Sequence, residues 1–272
     1  MLNIFSEKIT AGFLVATVAA LVLLQWLPLV NGIGLLGVAG LAGFVRKDSA
    51  NRKLKAILFL LMVPLVFWVA TFRSEGFNYP LLLSLPGAEG QLTRYELFVN
   101  FAKALVGFTL LYLLWQKLRE GEFVARSRYS FLVALLAPVL IIAVAIPVLG
   151  LYLQPKTIEQ MVLFGLGNLL IVCVAEEAFF RFLLQQPLRN AIAGMTANRG
   201  VQELIPLLLV TAIFVAIHSG IGGAAIWVYA LAGFLYGLSY TLSKNICYPI
   251  MIHFFVNQIH FSFLTYPLPA VG

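Results

Sequence analysis

Long apolar runs alternate with short polar ones along the chain, and most of the apolar runs have the length of a bilayer crossing. A hydrocarbon core about 30 Å thick takes roughly 20 helical residues. That ruler divides the sequence into nine spans, near residues 9–27, 30–45, 56–72, 97–116, 130–153, 161–182, 204–218, 224–243 and 246–264. The second, "NGIGLLGVAGLAGFV", is short and glycine-rich, and Ala39 and Gly43, four apart on one face, suit close helix contact. The first run is long for the apolar region of a signal peptide and is expected to stay as a helix. The pattern predicts an all-α fold, a polytopic transmembrane bundle of about eight or nine spans.

Composition agrees with this reading. Hydrophobic residues make up 61% of the 272 and charged residues only 11%, against roughly half and about a quarter in a soluble domain. The net charge of +7 does not point to nucleic acid, because the basic residues cluster between apolar runs rather than along a stripe with interleaved aromatics. Fourteen of the 18 Lys and Arg residues fall on one side of the alternating loops, three on the other, and Lys103 lies within a span. The positive-inside rule then places the N-terminus in the cytoplasm. Cys173 and Cys247 lie in or beside apolar segments, and no CxxC or Cys/His zinc spacing is present, so no disulfide framework is expected. The segment 73–96 is the largest outer loop and is expected to cap the bundle.

Ionisable groups inside a membrane cost several kcal/mol unless paired or hydrated, and mark functional sites by default. In the C-terminal half they are Glu176, Glu177, Arg181, His218, His253 and His260, with Asn257 as a polar companion. Glu177 and Arg181 have the acid-then-base spacing of a helical ion pair. Glu176 points about 100° away and can face another environment; the plainer alternative has both glutamates sharing Arg181. His218 closes "FVAIH", ahead of the flexible turn "SGIGG", and "HFFVN" sets His253 and Asn257 one turn apart on one face. His260 reads as a capping or helix-linking donor. A glutamate, two histidines and an asparagine are the parts needed to activate a water and hold an oxyanion.

These stretches resemble a known family. "EEAFFR" fits its EExxxR motif, "FVAIH" its FxxxH motif and "HFFVN" its HxxxN motif, and all three in this order on apolar helices are similar to the CAAX protease and bacteriocin-processing family of intramembrane endopeptidases, which includes the Ras-converting CAAX endopeptidase. The resemblance covers roughly residues 160–260. It implies a catalytic helical core over 131–272, leaving 1–130 as N-terminal transmembrane helices that select substrate.

By resemblance, the chain is a glutamate-dependent protease that cuts near the C-terminus of a membrane-attached protein or peptide. Glu176 and His218 activate the water, His253 and Asn257 hold the oxyanion, and Glu177 and Arg181 support the helix. No cofactor is expected on this reading. The alternative zinc enzyme would bind its metal through Glu176, His218 and His253; absence of the HExxH spacing favours the metal-free form. Two further alternatives are a non-enzymatic immunity or scaffold protein that binds a peptide, and a proton-coupled transporter. Oligomeric state is not legible in the sequence. Depth raises one conflict. On these span boundaries Glu176 and His253 lie about 9 and 10 Å from the cytoplasmic face, but His218 about 21 Å from it, so the three meet only if a boundary or the orientation is different.

Overall fold

The structure is a computed structural model and describes residues 2–46, 51–86, 94–119, 128–218 and 223–266. Much of the basic connections around Lys47 and Arg126, the middle of the expected outer cap at 87–93, and the turn after His218 at 219–222 lie outside the described residues. The described residues form nine helices: α1 (Leu2–Leu23), α2 (Leu29–Arg46), α3 (Arg52–Thr71), α4 (Phe101–Arg119), α5 (Arg128–Leu149), α6 (Ile158–Ala193), α7 (Arg199–Ile217), α8 (Ala225–Ser243) and α9 (Cys247–Phe263). Stretches of α3, α5, α6, α7 and α8 are long and apolar enough to cross a membrane, while the apolar parts of α1, α2 and α4 are shorter. The helical membrane bundle expected from the sequence is therefore present.

One feature departs from the all-α expectation. Strands β1 (Leu81–Leu85) and β2 (Tyr95–Phe98) pair antiparallel, with Leu83 opposite Leu97 and Leu85 opposite Tyr95. Backbone that leaves a helix must find other partners for its N–H and C=O groups, and pairing two short strands supplies them. The hairpin sits on Phe164 of α6 and Phe261 of α9, whose rings stack at 3.9 Å.

The central element is α6. A capping box starts it: Thr157 accepts a hydrogen bond from the Gln160 backbone, and the Gln160 side chain accepts one from Thr157. It then runs without a break to Ala193, well past the expected end at Phe182. Two wide π-helical stretches, Asn168–Cys173 and Ala178–Gln185, bracket a single α-turn, Val174–Glu177. Such insertions concentrate at functional sites. One face of α6 joins the core formed with α2, α3 and α4, through Cys173, Val174, Ala178, Phe182 and Leu183. Phe180 joins the other, formed with α5, α7, α8 and α9.

The longer α6 removes the mismatch in depth between Glu176 and His218. Beyond Phe182 it carries Arg189, whose Nε donates to Glu203 Oε1 of α7 at 2.6 Å; Lys244, at the end of α8, donates to Glu203 Oε2 at 2.6 Å. This ionic cluster marks a common level. Glu176 is 13 residues from Arg189 (189 − 176) and His218 is 15 from Glu203 (218 − 203), roughly 20 and 22 Å along their helices at 1.5 Å per residue. Glu176 and His218 therefore lie at a similar level, deeper than the sequence boundaries placed Glu176, and both line one cavity with His253.

Close backbone approaches hold the helices in place. A Cβ at Gly107 of α4 would stand 2.6 Å from the Ala175 Cα of α6, and one at Gly34 of α2 would stand 2.6 Å from a Val69 methyl of α3. Gly43, expected to make such a contact, faces open space instead. Asn31, fully buried, donates to the carbonyls of Val69 and Phe72 and closes the end of α3.

Thermal unfolding of purified protein in detergent should separate these glycines. Gly107→Ala is expected to cost about 1–3 kcal/mol through overpacking against backbone, while Gly43→Ala should be neutral or gain up to ~1 kcal/mol. Equal behaviour of the two would refute the close α4–α6 contact.

Candidate active site

The α-turn Val174–Glu177 holds both glutamates, and the angle between them sends each to a different partner. Glu177 is fully buried; its Oε2 accepts from Arg181 Nε at 2.8 Å and its Oε1 from His253 Nδ1 at 3.0 Å. Arg181 Nη1 then donates to Gln185 Oε1 at 2.7 Å, and Gln185 Nε2 donates to the Gly237 carbonyl at 3.1 Å and to Thr241 Oγ1 at 2.9 Å. Glu176 does not share Arg181. Its Oε1 accepts from Lys103 Nζ of α4 at 2.7 Å, and its Oε2 lies 4.0 Å from His253 Nε2. Two carboxylates thus meet two fixed cations, which is the condition for keeping charge in an apolar interior.

Ring contacts and backbone bonds orient the histidines. His253 stacks on Tyr236 of α8 at 4.8 Å, and its Nδ1–H, spent on Glu177, turns Nε2 toward Glu176. His218 follows the last residue of α7. Its Nδ1 donates to the Phe214 carbonyl at 2.7 Å, leaving Nε2 as the free ring nitrogen, and the ring stacks on Tyr229 at 5.0 Å. A hydrogen bond at one ring nitrogen defines the role of the other. Asn257 Nδ2 donates one proton to Asn168 Oδ1 at 3.0 Å and keeps a second.

A cavity of about 450 Å³ brings the predicted residues together: Glu176, His218, His253 and Asn257 all line it. Its remaining wall is largely apolar, with Ile141 and Ala145 of α5 and Val228 and Ala232 of α8, and it extends to Tyr95 and Tyr266 beside the hairpin. These two phenols lie 3.3 Å apart, and burial pushes the ionisation of both upward, so they close that end as neutral groups. His260 also faces the cavity, but its Nε2 donates to the Thr265 carbonyl at 3.2 Å, the linking role expected of it.

Two site residues were missed in the sequence reading. Asn168 is buried and holds Asn257; it also donates to the Phe254 carbonyl and accepts from the Cys173 thiol. A lone asparagine in an apolar run was the signal for it. Lys103 was visible as a charge within a span, but nothing in its neighbourhood tied it to Glu176, 73 residues away.

The donor set bears on the zinc alternative. Glu176 and the free Nε2 atoms of His218 and His253 have suitable chemistry, yet among the described residues no group of three His, Cys, Asp or Glu is placed to hold a metal ion. The Lys103 ammonium on Glu176 Oε1 would also repel a second cation there.

The loss of a buried charge partner should be severe. Arg181→Leu strands Glu177 without its cation, and is expected to cost about 3–5 kcal/mol, read as a fall in thermal stability. A variant melting like the wild type would show that the pair does not hold the bundle.

Among the curated proteins and the solved structures compared, none matches the chain. Residues 158–259 match the family model described as type II CAAX prenyl endopeptidase Rce1-like. Glu176, Glu177, Arg181, His218, His253 and Asn257 all fall inside the match, and Lys103 falls outside it. This segment, which carries the cavity's polar residues, is thus similar to the type II CAAX prenyl endopeptidases.

Proposed function

We propose that the chain hydrolyses a peptide bond near the C-terminus of a membrane-attached protein or peptide, with Glu176 and His218 activating the water. The observation that carries this reading is the single cavity lined by Glu176, His218, His253 and Asn257 within an apolar wall. The apolar wall suits a peptide with apolar side chains.

In this mechanism a water sits between Glu176 Oε2 and His218 Nε2, both free to accept its protons. As it attacks the scissile carbonyl carbon, one proton passes to Glu176 and the C=O electrons move onto oxygen. The oxyanion accepts hydrogen bonds from the second Nδ2 proton of Asn257 and from His253. For His253 to donate from Nε2 the ring must carry both protons, with Glu177 as its counter-ion. Collapse of the intermediate breaks the C–N bond, and the leaving amine takes the proton from Glu176. The products are a released peptide and a new C-terminal carboxyl group, whose remaining water proton passes to His218 Nε2 and on to solvent as it ionises. The zinc enzyme with Glu176, His218 and His253 as ligands is the second reading, favoured by the two free Nε2 atoms. The expected cytoplasmic N-terminus and a role for residues 1–130 in choosing the substrate belong to the same proposal.

Purified protein should cleave members of a library of membrane peptides. Glu176→Gln should lower the rate by about 10²–10⁴ with thermal stability retained, and Asn257→Ala by about 10²–10³. Cleavage by Glu176→Gln at the wild-type rate would remove the glutamate from the chemistry. Activity is expected to survive a chelator; loss restored by added zinc would establish the metal form.

A further inference from the structure

We infer that Lys103, outside the segment that matches the family, is a positioning residue for Glu176: its ammonium occupies one carboxylate oxygen and leaves the other facing the cavity. The inference rests on the protease reading above. Lys103 Nζ reaches Glu176 Oε1 at 2.7 Å, with both side chains about four-fifths buried at 23% and 18% exposure. A carboxylate with one oxygen held has one orientation left. Its Oε2 then stands 4.0 Å from His253 Nε2, too far for a direct hydrogen bond, so it stays free to accept from a water.

The surrounding backbone is built to deliver that ammonium. Asn100 accepts from the Lys103 backbone N–H at 2.9 Å, and its amide donates to the Ala70 carbonyl of α3 at 3.1 Å, so the start of α4 is tied to the end of α3. One turn further on, Gly107 meets Ala175 with no room for a Cβ, and Ala175 adjoins Glu176. Two anchors thus flank the lysine. Charge balance points the same way. Arg181 is committed to Glu177 and Gln185, so removal of Lys103 leaves two carboxylates with one fixed cation.

The test compares full-length Lys103→Met and Lys103→Arg with the wild type on a library peptide that the wild type cleaves. It is joined to a double-mutant cycle of thermal stability with Glu176→Gln. Lys103→Met should lower kcat by about 100-fold, the effect of a slightly misplaced group, with KM little changed. Lys103→Arg should recover most of that loss, and Lys103→Met should add nothing to Glu176→Gln. In the stability cycle the two substitutions should be non-additive, as expected for groups in contact. Wild-type kcat in Lys103→Met overturns the inference. Strict additivity in the cycle also overturns it, whether or not any peptide is cut. A coupled cycle in a protein that cuts nothing supports the pairing and counts against the protease reading instead.

Discussion

A charge carried into a bilayer must bring its own counter-charge and hydrogen bonds, and the Glu177–Arg181 pair is where this chain meets that constraint. The pair is almost wholly withdrawn from solvent, at 0% and 1% exposure, so neither member can be spared singly. Around it the contacts extend to three neighbouring helices. Gln185 continues the network to α8, His253 carries it to α9, and across a short gap Glu176 and Lys103 carry it to α4. The arrangement sets the pitch of α6 against three neighbours at once. What looks like catalytic apparatus is therefore also part of the framework.

The place of α6 between the two apolar cores makes this economy workable. Each core grips a different side of the helix, and the wide turns on either side of Val174–Glu177 change which residues point to which core. Buried aromatic packing supplies rigidity without polar cost: Phe180 packs against Phe214, whose ring in turn meets His218 at 4.4 Å. The histidine at the end of α7 is thereby referred to the same helix that carries the glutamates. An open, flexible site would need no such cross-reference.

Much of this was legible in the sequence because membrane burial makes polar residues conspicuous. Glu177 and Arg181 could be paired from their spacing, and the three motifs pointed to one site before any coordinates. Helix ends were harder. The apolar run stops near Phe182, but the backbone does not, because Pro187 sits where a new α-segment begins without breaking the helix, and Gln185, Gln186, Arg189 and Asn190 carry the helix on as a more polar stretch. That one boundary misplaced the depth of Glu176 against His218. Gly43 misled for a related reason: small residues permit close contact, and only the partner's shape decides whether it occurs. Lys103 was unreadable as a site residue because its meaning lies entirely in a long-range contact.

The tight crossing of α4 and α6 also has an evolutionary consequence. Gly107 and Ala175 lie on opposite sides of the boundary at which the recognisable family segment begins, yet a side chain at position 107 would meet the Ala175 backbone at 2.6 Å. A recombinant that joined the catalytic helices of one such protein to the leading helices of another would have to bring a matching small residue with it. The two halves of this chain are thus coupled at that crossing.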